Sequence, residues 1–168
     1  MKTPRKRRIQ SKTDYRKRMA FLKSGKPRIV VRRTNKYLII QYVKSVESKD
    51  SVILGITSKE LLKYGWPKTS LGSLKSITAA YLAGYLVGRK IVKKEKKHSA
   101  IADIGIHRNV HGSRIYSAIK GIVDAGVNLS YDNSVAPSED RIKGRHLSSE
   151  AKNVFEKVKE AIDKQEQK

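Results

Sequence analysis

The sequence predicts an α/β protein: a mixed sheet with helices packed on it, elements in the order βββαβα, between a basic N-terminal arm and a C-terminal helix. Three observations carry that prediction. From Lys26 to Val46, two apolar runs, Ile29–Val31 and Leu38–Ile40, flank the polar turn Arg32-Arg33-Thr34-Asn35-Lys36, and their Val, Ile and Tyr content suits a pleated, half-buried surface. Farther on, two stretches of helical apolar spacing bracket a strand-like run, so hairpin-linked strands give way to a βα alternation. Finally, 168 residues at 38% hydrophobic suit one domain with a buried core and tails.

Each element has its own warrant. Asp14 to Lys23 reads as a short arm helix with Tyr15, Met19 and Leu22 on one side. Pro4 disfavours helix before it, and Gly25 with Pro27 closes the segment. The hairpin follows, and Asn35 is the turn residue expected to take a positive φ. Ser48-Lys49-Asp50-Ser51 reads as a turn and Val52–Ile56 as a third strand. Thr57-Ser58-Lys59-Glu60 fits a capping box for a short helix through Tyr64, ended by Gly65-Trp66-Pro67. After a loop from Lys68 to Gly72, a long helix is expected from about Ser73 to Lys96. Its stripe is Ile77, Tyr81, Tyr85 or Leu86, Gly88 and Val92, and Lys93, Lys94, Lys96 and Lys97 load its last turn. Gly84 and Gly88 share a face and predict close helix–sheet approach. Ala100–Ile104 reads as a buried strand and Gly105–Gly112 as a loop. Ser113 then caps a helix facing Ile115, Ile119, Ile122 and Val123 inward, stopped at Gly126. A polar stretch runs to Gly144. Ser148 or Ser149 caps the last helix, with Ala151, Val154, Phe155, Val158 and Ile162 on one face.

Charge narrows the function. Lys and Arg number 38 against 15 Asp and Glu, a formal +23, with a pI near 10.3. Such an excess repels itself in water and favours a polyanion, nucleic acid first and an anionic membrane surface second. Residues Met1–Arg28 hold twelve Lys or Arg against the one acid Asp14, a net of +11. That arm reads as a tail that is solvated when free and folds against phosphates when bound. From Ser148 onward five bases balance five acids, so the last helix lies outside the basic surface. No run approaches the 18 or so apolar residues of a spanning helix; the best, Ile77–Gly88, has 12. The N-terminal charges precede no apolar segment, and the chain has no cysteine. The expectation is a cytosolic protein without disulfides, thiol catalysis or a membrane partner.

Catalytic chemistry finds little purchase. His107 and His111 are four apart but lie in a Gly- and Asn-containing loop with no third ligand near. Asp103 ends a strand, where carboxylates often hold magnesium, yet Asp124, Glu139 and Asp140 give no convergent set for a two-metal site. Gly25-Lys26 lacks the other residues of a phosphate-binding P-loop, so no cofactor is expected. Gly112-Ser113 at a helix start is either plain capping or an anion site. The strongest signal is basic and aromatic interleaving: Arg5-Lys6-Arg7-Arg8, Tyr15-Arg16-Lys17-Arg18 and Arg32-Arg33-Thr34-Asn35-Lys36-Tyr37, with Arg108 and Arg114 in or beside a loop. Guanidinium matches phosphate bidentately and stacks on unpaired bases, while Tyr offers a π face.

Several blocks carry a family resemblance. Val30 to Gln41, VVRRTNKYLIIQ, is similar to a signature of archaeal and eukaryotic ribosomal protein L-eighteen. Asp103-Ile104-Gly105, the run Gly112 to Gly121, Asp124-Ala125-Gly126 and Arg141 to Leu147 agree, so the resemblance spans about Lys2 to His146. It implies a ribonuclease-H-like α/β/α motif with helices on both faces and without that enzyme's catalytic carboxylates. The implied role is a cytoplasmic ribosomal one, binding 5S rRNA in the central protuberance beside the L-five ribosomal protein and near 23S rRNA. Arg5, Arg7, Arg8, Tyr15, Arg16, Arg18, Arg33, Asn35 and Lys36 carry over as RNA contacts, followed by Arg108 and Arg114. The chain accordingly divides into a basic RNA-binding arm (1–24), an α/β core (25–146) and a C-terminal helix (147–168). Three other readings use the same charge: a non-ribosomal RNA-binding protein, a nuclease of the same fold class, working through Asp103, and a general DNA-compacting protein.

Overall fold

The computed structural model describes residues 3–47, 49–95, 99–145 and 149–167. Expectations placed on Ser48, Lys96, Lys97, His146 and Ser148 fall outside the described residues. The sheet contains β1 (Arg28–Arg33), β2 (Leu38–Val46), β3 (Lys49–Thr57), β4 (Ser99–Asp103) and β5 (Asn128–Leu129), in spatial order β3-β2-β1-β4-β5. β1 pairs antiparallel with β2, from Arg28 opposite Val43 to Arg33 opposite Leu38, and β2 pairs antiparallel with β3. β4 lies parallel to β1, and β5 parallel to β4. The step from the hairpin strands to a parallel neighbour needs a crossover, and α3 (Ile77–Lys94) supplies it.

Alternation along the strands decides the layers, because successive side chains leave opposite faces. Ile29, Val31, Leu38, Ile40, Tyr42 and Ile56 form one face and are almost fully buried. α3 and α4 (Arg114–Asp124) lie on that face and against each other. α6 (Ser149–Gln167) closes over α3 with Phe155, Val158 and Ile162. α3 is thus enclosed between sheet and helices, which is why Thr78 through Gly88 are all buried rather than only a stripe. The opposite face carries Arg28, Val30, Arg32, Gln41, Val43 and Asp50, and the arm helix α2 (Tyr15–Lys23) stands across it. Among the described residues no helix is long and apolar enough to cross a membrane.

Several local expectations are corrected. The long helix begins at Ile77, not Ser73: the Ser76 hydroxyl accepts the Ala79 N–H at 3.1 Å, and Lys68–Lys75 forms a 3-10 helix where a loop then helix was expected. The capping box does not form, since Thr57 makes no side-chain cap bond ahead of the 3-10 helix Ser58–Tyr64, and Glu60 turns to Lys90 at 3.5 Å. Ser113 occupies the cap position of α4, but its buried hydroxyl makes no cap bond. Gly84 and Gly88 admit a helix, not the sheet: a Cβ at Gly84 would strike the Ala118 backbone, and one at Gly88 would stand 2.5 Å from the Ala125 Cβ. In the polar stretch after Gly126 (φ +104°) lie β5 and α5 (Glu139–Ile142), and the arm begins with a single turn, α1 (Lys6–Ile9); none of these was expected.

Candidate nucleic-acid interface

β1 puts Arg28, Val30 and Arg32 on the face away from the core, each two residues apart. Parallel β4 sets Asp103 directly opposite Val30, between the two arginines. Its carboxylate accepts from Arg28 Nη1 at 3.4 Å, from Arg32 Nη2 at 3.0 Å and from the Gly105 N–H at 2.8 Å, while its carbonyl takes Arg32 Nη1 at 2.6 Å. Gly105, at φ +64°, is pressed so close to the Arg32 guanidinium that a Cβ there would lie 2.8 Å from Cζ. Asp50, on the same face of β3, binds Arg28 Nη2 at 2.7 Å and Arg18 Nη1 at 2.9 Å. Burial alone would raise the Asp50 carboxyl, but the Ser45 hydroxyl and the Arg18 and Arg28 guanidiniums outweigh it and hold it below the ordinary carboxylate range.

The arm reaches this face through α2. Asp14 caps that helix, accepting the Arg16 and Lys17 N–H groups at 3.0 and 3.1 Å. One face of α2 then brings Lys17, Arg18 and Phe21 over Arg28, Val30, Val43 and Asp50, enclosing a cleft of about 320 Å³ whose walls also include Arg7, Lys12, Arg32 and Asp103. Arg7 Nε donates to Thr13 Oγ1 at 2.9 Å, and the Arg5 guanidinium lies 4.8 Å from the centre of the Tyr15 ring. Lys6, Arg8 and Arg16 are exposed. The arm is thus helical over Tyr15–Lys23, within the stretch where a helix was expected, and ion-paired to the sheet through Arg18 and Asp50.

The hairpin tip is built differently from expectation. Among the described residues only Ser11 and Glu47 take a positive φ without being glycine, so Asn35 does not. Thr34 makes the turn instead: its N–H donates to the Tyr37 carbonyl at 2.9 Å, its hydroxyl donates to the same carbonyl at 2.7 Å, and it accepts the Tyr37 N–H at 3.1 Å. A side chain that bonds both ends of a turn removes the need for left-handed backbone. Asn35, Lys36 and Arg33 are left exposed. The Arg33 N–H donates to His107 Nε2 at 3.4 Å, joining the tip to the loop that carries exposed Arg108. Burial, reinforced by the charges of Arg32 and Arg33, pushes His107 below the ordinary histidine value.

Of the expected residues, Arg7, Arg18 and Arg32 meet in the cleft, while Arg33, Asn35 and Lys36 crown the tip; Arg114 opens α4, half-buried. Arg32 and Thr34 have partners within the fold, so the tip presents fewer uncommitted groups than its sequence suggests. Arg28, Lys12 and Asp50 were not singled out as site residues by sequence, and Lys17 entered only within the basic run Tyr15–Arg18. The period of two from Arg28 to Arg32 was a usable signal for the first. The rest depend on the arm crossing the sheet, which no local pattern announces. Chemically the surface offers ammonium and guanidinium donors to phosphate. Among the described residues no three His, Asp or Glu side chains gather as a metal would need.

Comparison with known proteins agrees in kind with this surface. The family described as ribosomal large subunit proteins 60S L5, and 50S L18, matches residues 1–102. The large ribosomal subunit protein uL18 of Korarchaeum cryptofilum is 47% identical over 151 residues, covering 90% of this chain and 75% of that protein. The uL18 protein of Thermofilum pendens is 41% identical over 155 residues, covering 92% and 76%, and that of Methanoregula boonei 41% over 144 residues, covering 86% and 80%. Identity of this depth, over nearly the whole sheet, arm and helix layer just described, means that the chain belongs to the uL18 family of large ribosomal subunit proteins.

Proposed function

We propose that this protein binds 5S rRNA and helps attach it to the central protuberance of the large subunit, as a structural component without catalytic work. Its neighbours there are 23S rRNA, the L-five ribosomal protein and other proteins of the protuberance. The observation that carries the reading is the concentration of cations along the arm and across the open sheet face. Six of them, Arg7, Lys12, Lys17, Arg18, Arg28 and Arg32, share one cleft with three carboxylates. The arm of residues 1–24 supplies charge neutralisation, the core of residues 25–146 fixes register through Arg33, Asn35 and Lys36, and the helix of residues 147–168 buttresses α3. Arg5, Lys6, Arg8, Tyr15 and Arg16 contact RNA from the arm; beside it Arg18 holds the arm to the sheet through Asp50 and Arg32 ties β1 to β4 through Asp103, Thr34 shapes the tip, and Arg108 and Arg114 extend the surface.

Competition at matched salt tests this. 5S rRNA is expected to displace labelled 5S rRNA at far lower concentration than duplex DNA or a structured RNA of equal length. Equal competition by duplex DNA would contradict the reading and favour general DNA compaction. The nuclease alternative predicts RNA cleavage that is lost in Asp103→Asn with binding intact. That carboxylate is occupied by Arg28, Arg32 and Gly105, so cleavage is not expected.

A further inference from the structure

At the far side of the hairpin tip lies a second concavity with a different chemistry. The turn Thr34–Tyr37 overhangs the 3-10 helices Ser58–Tyr64 and Lys68–Lys75, and the space between, about 640 Å³, is floored by Tyr37, Leu62 and Leu74. Its frame is fixed by one hydroxyl. Ser58 is fully buried; it accepts the Leu38 N–H at 3.1 Å and donates to the Leu74 carbonyl at 2.7 Å, tying strand and both helices together. The rim holds Lys36, Lys59 and Lys75 with the Asn35 amide, and among the described residues no carboxylate lines it. The arm cleft is the contrast, where three aspartates already answer the cations.

An apolar, aromatic floor inside an unanswered ring of ammonium groups matches one ligand class well. Resting on the 5S rRNA reading above, we propose that this pocket receives a single unstacked nucleotide of that RNA. Its base lies on the Tyr37 ring and against Leu62; its phosphates meet Lys36, Lys59 and Lys75. Lys59 Nζ now lies 4.6 Å from the centre of the Tyr37 ring. An arriving base replaces that cation–π contact with stacking and releases Lys59, on its flexible stem, to the nucleotide's phosphate. The Asn35 amide stands at the rim to bond the base edge, which gives the tip a way to read sequence as well as charge. Hydrophobic matching and charge complementarity both favour a nucleotide over an apolar peptide, for which three rim lysines would be a desolvation cost.

The test uses the full chain and Korarchaeum cryptofilum 5S rRNA transcribed in vitro, with and without 5-iodouridine and 5-iodocytidine. Tyr37→Leu is expected to weaken binding about ten-fold while the slope of log affinity against log salt stays unchanged, since a base contact but no phosphate contact is lost. Tyr37→Phe keeps the ring and is expected to bind within about two-fold of the parent. Photocrosslinking of the halogenated RNA to the unaltered protein is expected to label the peptide bearing Tyr37, a readout that stands even where a variant folds poorly. Unchanged affinity in Tyr37→Leu, an equal loss in Tyr37→Phe, or crosslinks confined to other peptides would each overturn the proposal. So would a Glu- and Phe-containing peptide that binds the parent but not Tyr37→Leu, while RNA binding stays intact. Failure of the unaltered chain to prefer 5S rRNA would instead remove the reading beneath it.

Discussion

At the scale of the residue, Asp103 shows how a position that suggests catalysis can be spent on structure. Its side chain is 8% exposed and that of Arg28 9%, so removing the acid leaves the buried Arg28 guanidinium to Asp50 and takes the acceptor from Arg32 and from the Gly105 N–H. Asp103→Ala is expected to cost about 3 kcal/mol of stability in urea unfolding, followed by the fluorescence of buried Trp66; the outcome to set against it is a loss below about 1 kcal/mol. Asp103→Asn retains an acceptor for the Gly105 N–H and loses less. His107 gives a pH signature. Its folded value lies below the ordinary 6.5 because of burial and the nearby Arg32 and Arg33 charges. The unfolded chain therefore takes up the proton first as pH falls. The contribution to stability is complete above about pH 6.5 and is lost as pH falls from there toward the depressed folded value. Stability is expected to decline over that window in the parent and to run flatter in His107→Gln, whose amide oxygen still accepts from Arg33. Parallel profiles would refute this.

Among the elements, the α3–α4 contact is the most exacting. Tyr81 donates to Asp124 at 2.8 Å, and Gly84, Gly88 and Gly121 let the two helices approach until a Cβ would enter the opposing chain. Gly121→Ala would drive its methyl group into the Tyr81 carbonyl. It is expected to lower the urea midpoint with a cost of about 2–3 kcal/mol, whereas an Ala at exposed Lys23 should change little. How much of this was legible follows from where each signal sits. The hairpin, the third strand, β4, α4 and the arm helix each announce themselves within about ten residues, by a strand-like apolar run or by apolar residues at helical spacing. The glycine pair in α3 declared a close approach, but its partner, the Ala118–Ala125 face of α4, lies more than thirty residues away and was mistaken for the sheet. β5 has two residues, too few to show any period. At the tip, Asn35 drew the turn assignment by composition while Thr34 held it by side-chain bonding. The candidate site divides the same way. Its charge was readable in the arm and tip, but Arg28 and Asp50 acquired meaning only once the arm crossed the sheet.

For the whole molecule, charge is laid out by region. The first 28 residues hold a net +11 and the last helix is balanced, while α6 buries Phe155, Val158 and Ile162 and belongs to the core. Deleting residues 148–168 would thus unseat α3 while removing no net charge, so the fitting control for the arm is substitution rather than truncation. In the proposed function the arm's cations grip 5S rRNA from a fold held together elsewhere. The most direct measurement is 5S rRNA affinity across a salt series for two variants of equal charge loss. One carries Arg5, Arg7, Arg8 and Arg16 each replaced by Gln, and the other carries Lys152, Lys157, Lys159 and Lys164 each replaced by Gln. The arm variant is expected to lose on the order of a hundred-fold in affinity, with its salt slope falling by about three to four, while the α6 variant stays close to the parent in both. Equal losses in the two variants, or a salt slope unchanged by stripping the arm, would contradict the proposed function.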